Sequence, residues 1–251
     1  MHITRTPMAR LQLGAVACAA AVLAVTACEN GDANNTDHGK DRPKASTPAN
    51  EDKPQANGIE KKTAAEIYNA AMKANATAGS AHETMERTDT ASDLKVSATE
   101  CVGTVDKRDR GSFDIIRKNS DIWAKPDATL AKELSEAGTT INANVWLHGN
   151  DKHPLMKALA SYCHSEQFTD PDTASVKMTK KPVTELDGQP VIPLQISAEG
   201  GTGTFYVATT GEPHLIKQES SSKAGSDLTF SAFGEPVGAA APAEKTVPVP
   251  N

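Results

Sequence analysis

Large apolar side chains are what this sequence has least of. Only 4% of its 251 residues are aromatic, and 38% are hydrophobic by a count that includes alanine. That is lean for a domain of this length. Between residues 29 and 58 there is no Val, Ile, Leu, Met, Phe, Tyr or Trp at all. Such a stretch buries too little to offset the entropy of ordering it, so it is expected to be a disordered tether, about 30 Å from end to end by flexible-chain scaling. Clustered positive charge is missing too: the net charge is −6. Phosphate binding needs Lys and Arg concentrated on one face, so nucleic acid is not an expected partner, and polybasic attraction to a membrane surface is not expected either. Catalytic signatures are also lacking. There is no G-x-S-x-G elbow and no H-E-x-x-H. The Gly-rich run at 199–204 lacks the Lys-Ser/Thr of a phosphate loop and leads into a strand, so it reads as a hairpin turn. No enzyme and no cofactor are expected.

What is present begins at the N-terminus. Arg5 and Arg10 precede an uncharged run, residues 11–27, in which Gln12 is the one strongly polar side chain before Thr26. This is the layout of a secretory signal peptide. An uncleaved span would need roughly 17–25 apolar residues, and these 17 are Ala-rich and weakly hydrophobic. The run ends in Val25-Thr26-Ala27-Cys28. Small residues ahead of a cysteine resemble the lipobox of bacterial lipoproteins. The resemblance implies a diacylglycerol thioether on Cys28 and cleavage before it. Losing Arg5 and Arg10 takes the net charge from −6 to −8. The expected organisation is a signal peptide over 1–27, a tether over 28–59 starting at lipidated Cys28, a folded domain over 60–237, and an unstructured Ala/Pro-rich tail over 238–251. The lipid supplies the membrane attachment, on the outer face of the cytoplasmic membrane.

Two cysteines then remain, Cys101 and Cys163. Outside the cytoplasm they either bridge or persist as buried thiols; compartment and count favour the bridge. His148, His153, Cys163 and His164 lie close in sequence and invite a metal reading. His148 and His153 fit zinc-type spacing, but Cys163 and His164 are adjacent and point apart on a helix. Surface histidines and a disulfide cysteine account for the set, and no metal is expected.

Along the folded segment, Thr63 and Glu66 form a capping box for a helix over 61–74 with Ile67, Ala70, Ala71 and Ala74 on one face, stopped by Gly79. Period-two patterning follows over 93–101, then strands over 112–117 and 122–125, the last ended by Pro126. Asp127 caps a helix over 128–137, and Pro154 opens another over 155–166, with a short apolar piece at 144–148 between them. Five strands complete the chain: 175–184, 190–197, 203–208, 214–219 and 227–233. Short turns make them antiparallel neighbours. The fold class is α+β: an N-terminal helix, a long antiparallel sheet and a helical insertion midway.

The run Gly203-Thr204-Phe205-Tyr206-Val207-Ala208-Thr209-Thr210-Gly211-Glu212-Pro213, then Leu215-Ile216-Lys217, Leu228-Thr229-Phe230-Ser231 and Phe233-Gly234-Glu235-Pro236-Val237, resembles actinobacterial lipoproteins of the LppX/LprG type, within the wider LolA/LolB-like group. The resemblance spans roughly residues 60–240. It implies a half-barrel with helices over its concave face and an apolar pocket holding acyl chains. Candidate lining residues are Ile115, Ile122, Trp146, Ile192, Ile196, Phe205, Val207, Leu215 and Phe230, with Trp146 near the mouth and the insertion 127–166 acting as a mobile lid. Each of these side chains has ordinary core packing as its alternative role. The expected function is a monomeric, membrane-anchored module that binds or transfers a lipid or glycolipid. The alternative, favoured by the shortage of large apolar residues, is a filled half-barrel that senses or binds a protein partner.

Overall fold

Thr63 starts helix α1 (Ala64–Ala78) as its spacing requires: its hydroxyl accepts the Glu66 N–H at 3.4 Å, and the Glu66 carboxylate accepts the Thr63 N–H at 2.8 Å. Two orphan donors of the first turn are thereby satisfied. Gly79, at φ 76°, closes the helix with its N–H on the Asn75 carbonyl. In the computed structural model the described residues are 55–136, 140–163, 177–198, 201–222 and 225–250, all within the compact unit Glu51–Asn251. The signal segment, Cys28, the tether up to residue 54, His164 and the hairpin turn at 199–200 lie outside the described residues.

After α1 come β1 (Ser80–Glu86), β2 (Ala91–Ser97), β3 (Glu100–Asp106), β4 (Ser112–Lys118) and β5 (Asp121–Pro126). Helix α2 (Ala128–Glu136), β6 (Trp146–Asn150) and α3 (Pro154–Ala160) form the insertion. Then follow β7 (Lys177–Lys180), β8 (Thr184–Leu186), β9 (Gln189–Ala198), β10 (Gly201–Ala208), β11 (Leu215–Ser220), β12 (Asp227–Ser231) and β13 (Thr246–Pro248). Among the described residues, 13 strands make one open sheet in the order β13-β6-β5-β4-β3-β2-β1-β12-β11-β10-β9-β7, with β8 also on β9. Each pairing is antiparallel except β13 on β6. The sheet is therefore two meanders joined in its middle by β1 and β12, with His82 opposite Ser231.

One face of the sheet is roofed by helices, and two cores form beneath them. Under α2 and α3, Leu130, Ala131, Met156 and Leu159 pack on Leu94, Phe113, Ile115, Ile122 and Leu147. Under α1, Ile67, Ala71 and Met72 pack on Ile192, Leu194, Val207, Leu215 and Phe230. The insertion expected to be a mobile lid is packed into place. Asp127 fixes its start: the carboxylate accepts the Leu130 N–H and the Ser112 N–H, each at 2.8 Å, tying α2 to β4. Cys101 on β3 is bonded to Cys163 just past α3, with Cα atoms 5.8 Å apart, so the bridge ties the roof to the sheet.

Several boundaries differ from the sequence reading. The single strand expected at 93–101 is a hairpin, β2 and β3, turned by the Ser97 hydroxyl, which accepts the Thr99 and Glu100 N–H groups. The strand expected at 175–184 is broken into β7 and β8 at Pro182, which has no N–H to give the ladder. The last helix ends at Ala160 rather than 166. At its N-terminal side the fold begins before residue 60: Ala56 bridges Thr210, the Asn57 side chain donates to the Ala208 carbonyl at 3.1 Å, and Ile59 is buried.

The tail over 238–251 is corrected most. It is ordered through residue 250. Val237 and Ala239 are buried, Lys118 Nζ donates to the Ala239 carbonyl at 3.0 Å, Glu244 lies 3.8 Å from Lys125, and β13 extends the sheet beyond β6. The seat is made by a glycine: a Cβ at Gly149 would fall 2.8 Å from both Met156 Cγ and Val249 Cγ1. Pro248 is tolerated because β13 is an edge strand.

Candidate functional site

The lining residues proposed from sequence divide into three groups. Ile115 and Ile122 lie in the core under α2 and α3. Ile192, Ile196, Val207, Leu215 and Phe230 lie in the core under α1, and Phe205 packs against it with its ring 5.7 Å from that of Tyr68. Trp146 is the exception. Ile122, Ala124 and Leu147 face the helices, so strand alternation sends Trp123, Lys125, Trp146 and His148 to the other face. There the Trp123 and His148 rings stack at 4.9 Å, and Lys125 Nζ sits 4.9 Å from the Trp146 ring centre. The expectation of Trp146 at the pocket mouth is therefore corrected. Both tryptophans are nonetheless buried, on the face where Lys125 pairs with Glu244 of the tail.

Between the two cores runs β1. Its inward residues are Ala81, Glu83 and Met85, all buried, and Glu83 is flanked in register by Leu94 on β2 and Phe230 on β12, one from each core. Among the partly buried side chains, Phe233 packs against both cores. Phe233 also floors a hollow of about 460 Å³ between α1 and the turns after β10 and β12. The hollow is walled by Ala70, Ala74, Ala78, Pro213 and the His214 ring, with Lys73, Thr77 and Glu212 also on its wall. Its size lies in the range of small-molecule sites, roughly 300–1,000 Å³.

The wall is built with care at His214. Its ring stacks on Phe233 at 3.9 Å between centres, 4° from parallel. Asn75, fully buried in the last turns of α1, donates from Nδ2 to the Leu215 carbonyl and accepts the Leu215 N–H on Oδ1. Those two bonds orient the amide, so the atom 3.1 Å from His214 Nδ1 is an acceptor, and His214 donates from Nδ1. Burial holds the His214 imidazole below its ordinary value, against a smaller opposite pull from Glu212.

Sequence reasoning missed Glu83, Asn75, His214 and Phe233 as site-forming groups. The first is hidden because outward-facing His82, Thr84 and Glu86 leave no apolar alternation on β1. Asn75 did carry a signal, a polar side chain four residues beyond Ala71 on the apolar face of α1.

Two other constellations have structural explanations. Cys163 is spent in the disulfide, His148 binds Asp121 at 3.1 Å, and His153 Nε2 lies 3.0 Å from the Pro250 carbonyl; among the described residues no group of three His, Cys, Asp or Glu is placed to hold a metal. Ser231, His82 and Asp93 line up across three strands at 3.4 and 2.7 Å. The hollow against His82 holds about 10 Å³, too little for a substrate; a second hollow of about 230 Å³ reaches Asp93 but is lined by neither His82 nor Ser231, and Asp93 is mostly exposed. This is a cross-strand polar pairing on an open sheet face.

No protein-family model matches the sequence, and no curated protein matches it. Among solved structures, the chain is similar to LprF from Mycobacterium bovis, with 14% identity over 72% of this chain and 97% of that one and a TM-score of 0.51. Weaker likenesses are to MucB, at 16% identity over 72% of this chain and 60% of that one with a TM-score of 0.34, and to the LolA superfamily protein NE2245 from Nitrosomonas europaea, at 11% identity over 68% and 92% with a TM-score of 0.26. At these scores the last two carry no argument. Among the described residues, an open, mostly antiparallel sheet roofed on one face by three helices, together with the match to nearly all of LprF, gives this chain the half-barrel fold that LprF has.

Proposed function

We propose that this protein is a lipid-anchored, extracytoplasmic binding protein that holds or transfers a lipid or lipid-linked molecule, glycolipids included, within the half-barrel, and that it is not an enzyme. The observation that carries the reading is the way the helical roof is divided. Helix α1 covers one core and α2 with α3 covers the other, and the seam between them lies over β1. Two separately packed halves can part along that seam without either core being unpacked, and the apolar surfaces exposed would desolvate acyl chains at about 0.8 kcal/mol per buried methylene. Of the candidate lining residues, Phe230 on β12 borders β1 directly, while Ile115 and Ile122 lie within the core on one side of the seam and Ile192, Ile196, Phe205, Val207 and Leu215 within or against the core on the other. Likeness of fold to LprF supports the reading. Among the described residues no helix is long and apolar enough to cross a membrane. The anchor proposed is the acyl group on Cys28, ahead of the tether, on the strength of the lipobox-like run Val25-Thr26-Ala27-Cys28. The domain acts as a monomer and needs no cofactor.

The alternative is a filled half-barrel that senses or binds a partner protein. It is favoured by the burial of Ile115, Val207 and Leu215, each at 3% exposure or less against its own neighbours. Native mass spectrometry of the full-length chain carrying Cys28→Ala separates the two. Extra mass that extracts into organic solvent, or uptake of offered phospholipid, supports the lipid reading. A clean apo mass with no uptake overturns it and leaves the partner-binding reading.

A further inference from the structure

We infer that the hollow beside α1 is the mouth through which an acyl chain reaches the interior, and that the Phe233 ring is its door. This rests on the lipid-binding reading and adds where and how the chain enters. Apolar groups form most of the hollow: three alanines of α1, Pro213 and the stacked His214 and Phe233 rings. The two charged side chains on its wall, Lys73 and Glu212, are exposed, so a polar head stays in water while the chain lies inside.

Phe233 is placed to open. It separates the hollow from both cores, touching each. Its backbone is held on both sides, for the Glu235 N–H donates back to the Ala232 carbonyl at 3.3 Å. The Gly234 N–H donates to the Ser80 carbonyl at 3.0 Å, and the Ser80 hydroxyl donates to the Glu235 carbonyl at 2.6 Å. Ala232 and Gly234 on either side have positive φ, 50° and 79°. The turn is thus a fixed frame, and only the side chain has to rotate. The jamb is fixed too, because Asn75 ties His214 to α1 while holding both backbone groups of Leu215. Behind the door begins β1, where small Ala81 precedes Glu83 on the inward face. A chain that displaced Phe233 would pass over Ala81 into the seam.

The test uses the full-length protein with Cys28→Ala and cis-parinaric acid, a fatty acid whose fluorescence rises in apolar surroundings, mixed in stopped flow. Phe233→Ala removes the door and is expected to speed both uptake and release, by roughly two- to tenfold if the lost ring stacking sets the barrier. Thr77→Trp, at an exposed position of α1 on the rim, fills the hollow and is expected to slow uptake by a similar factor or more. Retention of the Cys101–Cys163 bridge and of the circular dichroism spectrum checks the fold of each, and Thr77→Trp carries the test alone if Phe233→Ala fails to fold. Binding by the parent protein with unchanged rates in Thr77→Trp overturns the mouth and leaves lipid binding standing. No binding by the parent protein overturns both.

Discussion

His214 shows how one residue couples the site to pH. Its folded-state pKa lies below its ordinary value because burial penalises the imidazolium. The unfolded chain therefore takes up the proton first as the pH falls. The stability that neutral His214 contributes is complete above its ordinary value of 6.5 and is lost as the pH drops from there through the lowered folded value. In thermal melts between pH 8 and pH 5, His214→Gln, which can still donate to Asn75, should lose less stability than the parent over the acid half of that range; parallel curves would show that His214 plays no part. Asp127 is simpler. Burial pushes its carboxyl up, but hydrogen bonds from Leu130 and Ser112 outweigh burial and leave it lowered. Asp127→Ala should destabilise by about 1–2 kcal/mol in urea titrations, the upper end of a capping loss, because the same carboxylate also holds β4. The capping roles of Thr63 and Asp127 are legible from sequence because donor and acceptor lie within a few residues. Asn75 is not, since its partners His214 and Leu215 are about 140 positions away.

At the scale of elements, the helices and the C-terminal meander follow from capping residues, Gly and Pro, and period-two patterning. The misreadings come where a turn or strand lacks those marks. The β2–β3 turn is made by a serine hydroxyl, β1 hides its alternation behind a buried Glu83, and β13 is a three-residue strand containing proline. The disulfide could be expected from count and compartment alone, and its consequence belongs here too. It closes a 62-residue separation and ties the end of α3 to β3, which the chain-entropy account values at about 4 kcal/mol. Cys101→Ser with Cys163→Ser, or reductant added to the parent, should lower the urea-unfolding free energy by about that amount; a change under 1 kcal/mol would mean that the reduced chain remains constrained. The tail offers an optical test. A chain ending at Gly238 loses β13 and the Lys125–Glu244 contact beside Trp146. Its tryptophan emission should shift to the red, and an unshifted spectrum would show that the tail does not cover these rings.

For the molecule as a whole, the α+β class is legible because capped helical stretches and short-turned strands add up to an antiparallel sheet with an insertion; the one-sided helical roof is reached only through the family resemblance. What stays illegible is which face a short strand presents, and where two separately built halves meet. Trp146 illustrates the first: Trp146-Leu147-His148 carries an apolar side chain on each face, so sequence alone does not say which one is roofed. Phe233 illustrates the second, a lone aromatic in a turn whose importance comes from touching both cores.

The position of β1 carries a consequence for how the protein is made. Most neighbouring strands follow one another in the chain, whereas β1 meets β12 across 149 residues, His82 to Ser231. Everything from β1 through Cys163, both bridged cysteines included, precedes β12 in the chain. A chain emerging N-terminus first outside the cytoplasm can therefore fold its first meander and close the bridge while β1 stands as a bare edge, its ladder groups open to any extended segment nearby. Zipping β12 onto β1 is a slow, non-local step that joins the two meanders, and it also brings Phe233 up against the start of β1. The seam proposed to admit cargo then closes only after the first meander has folded, and the interval before it closes is when β1 is most exposed to mispairing.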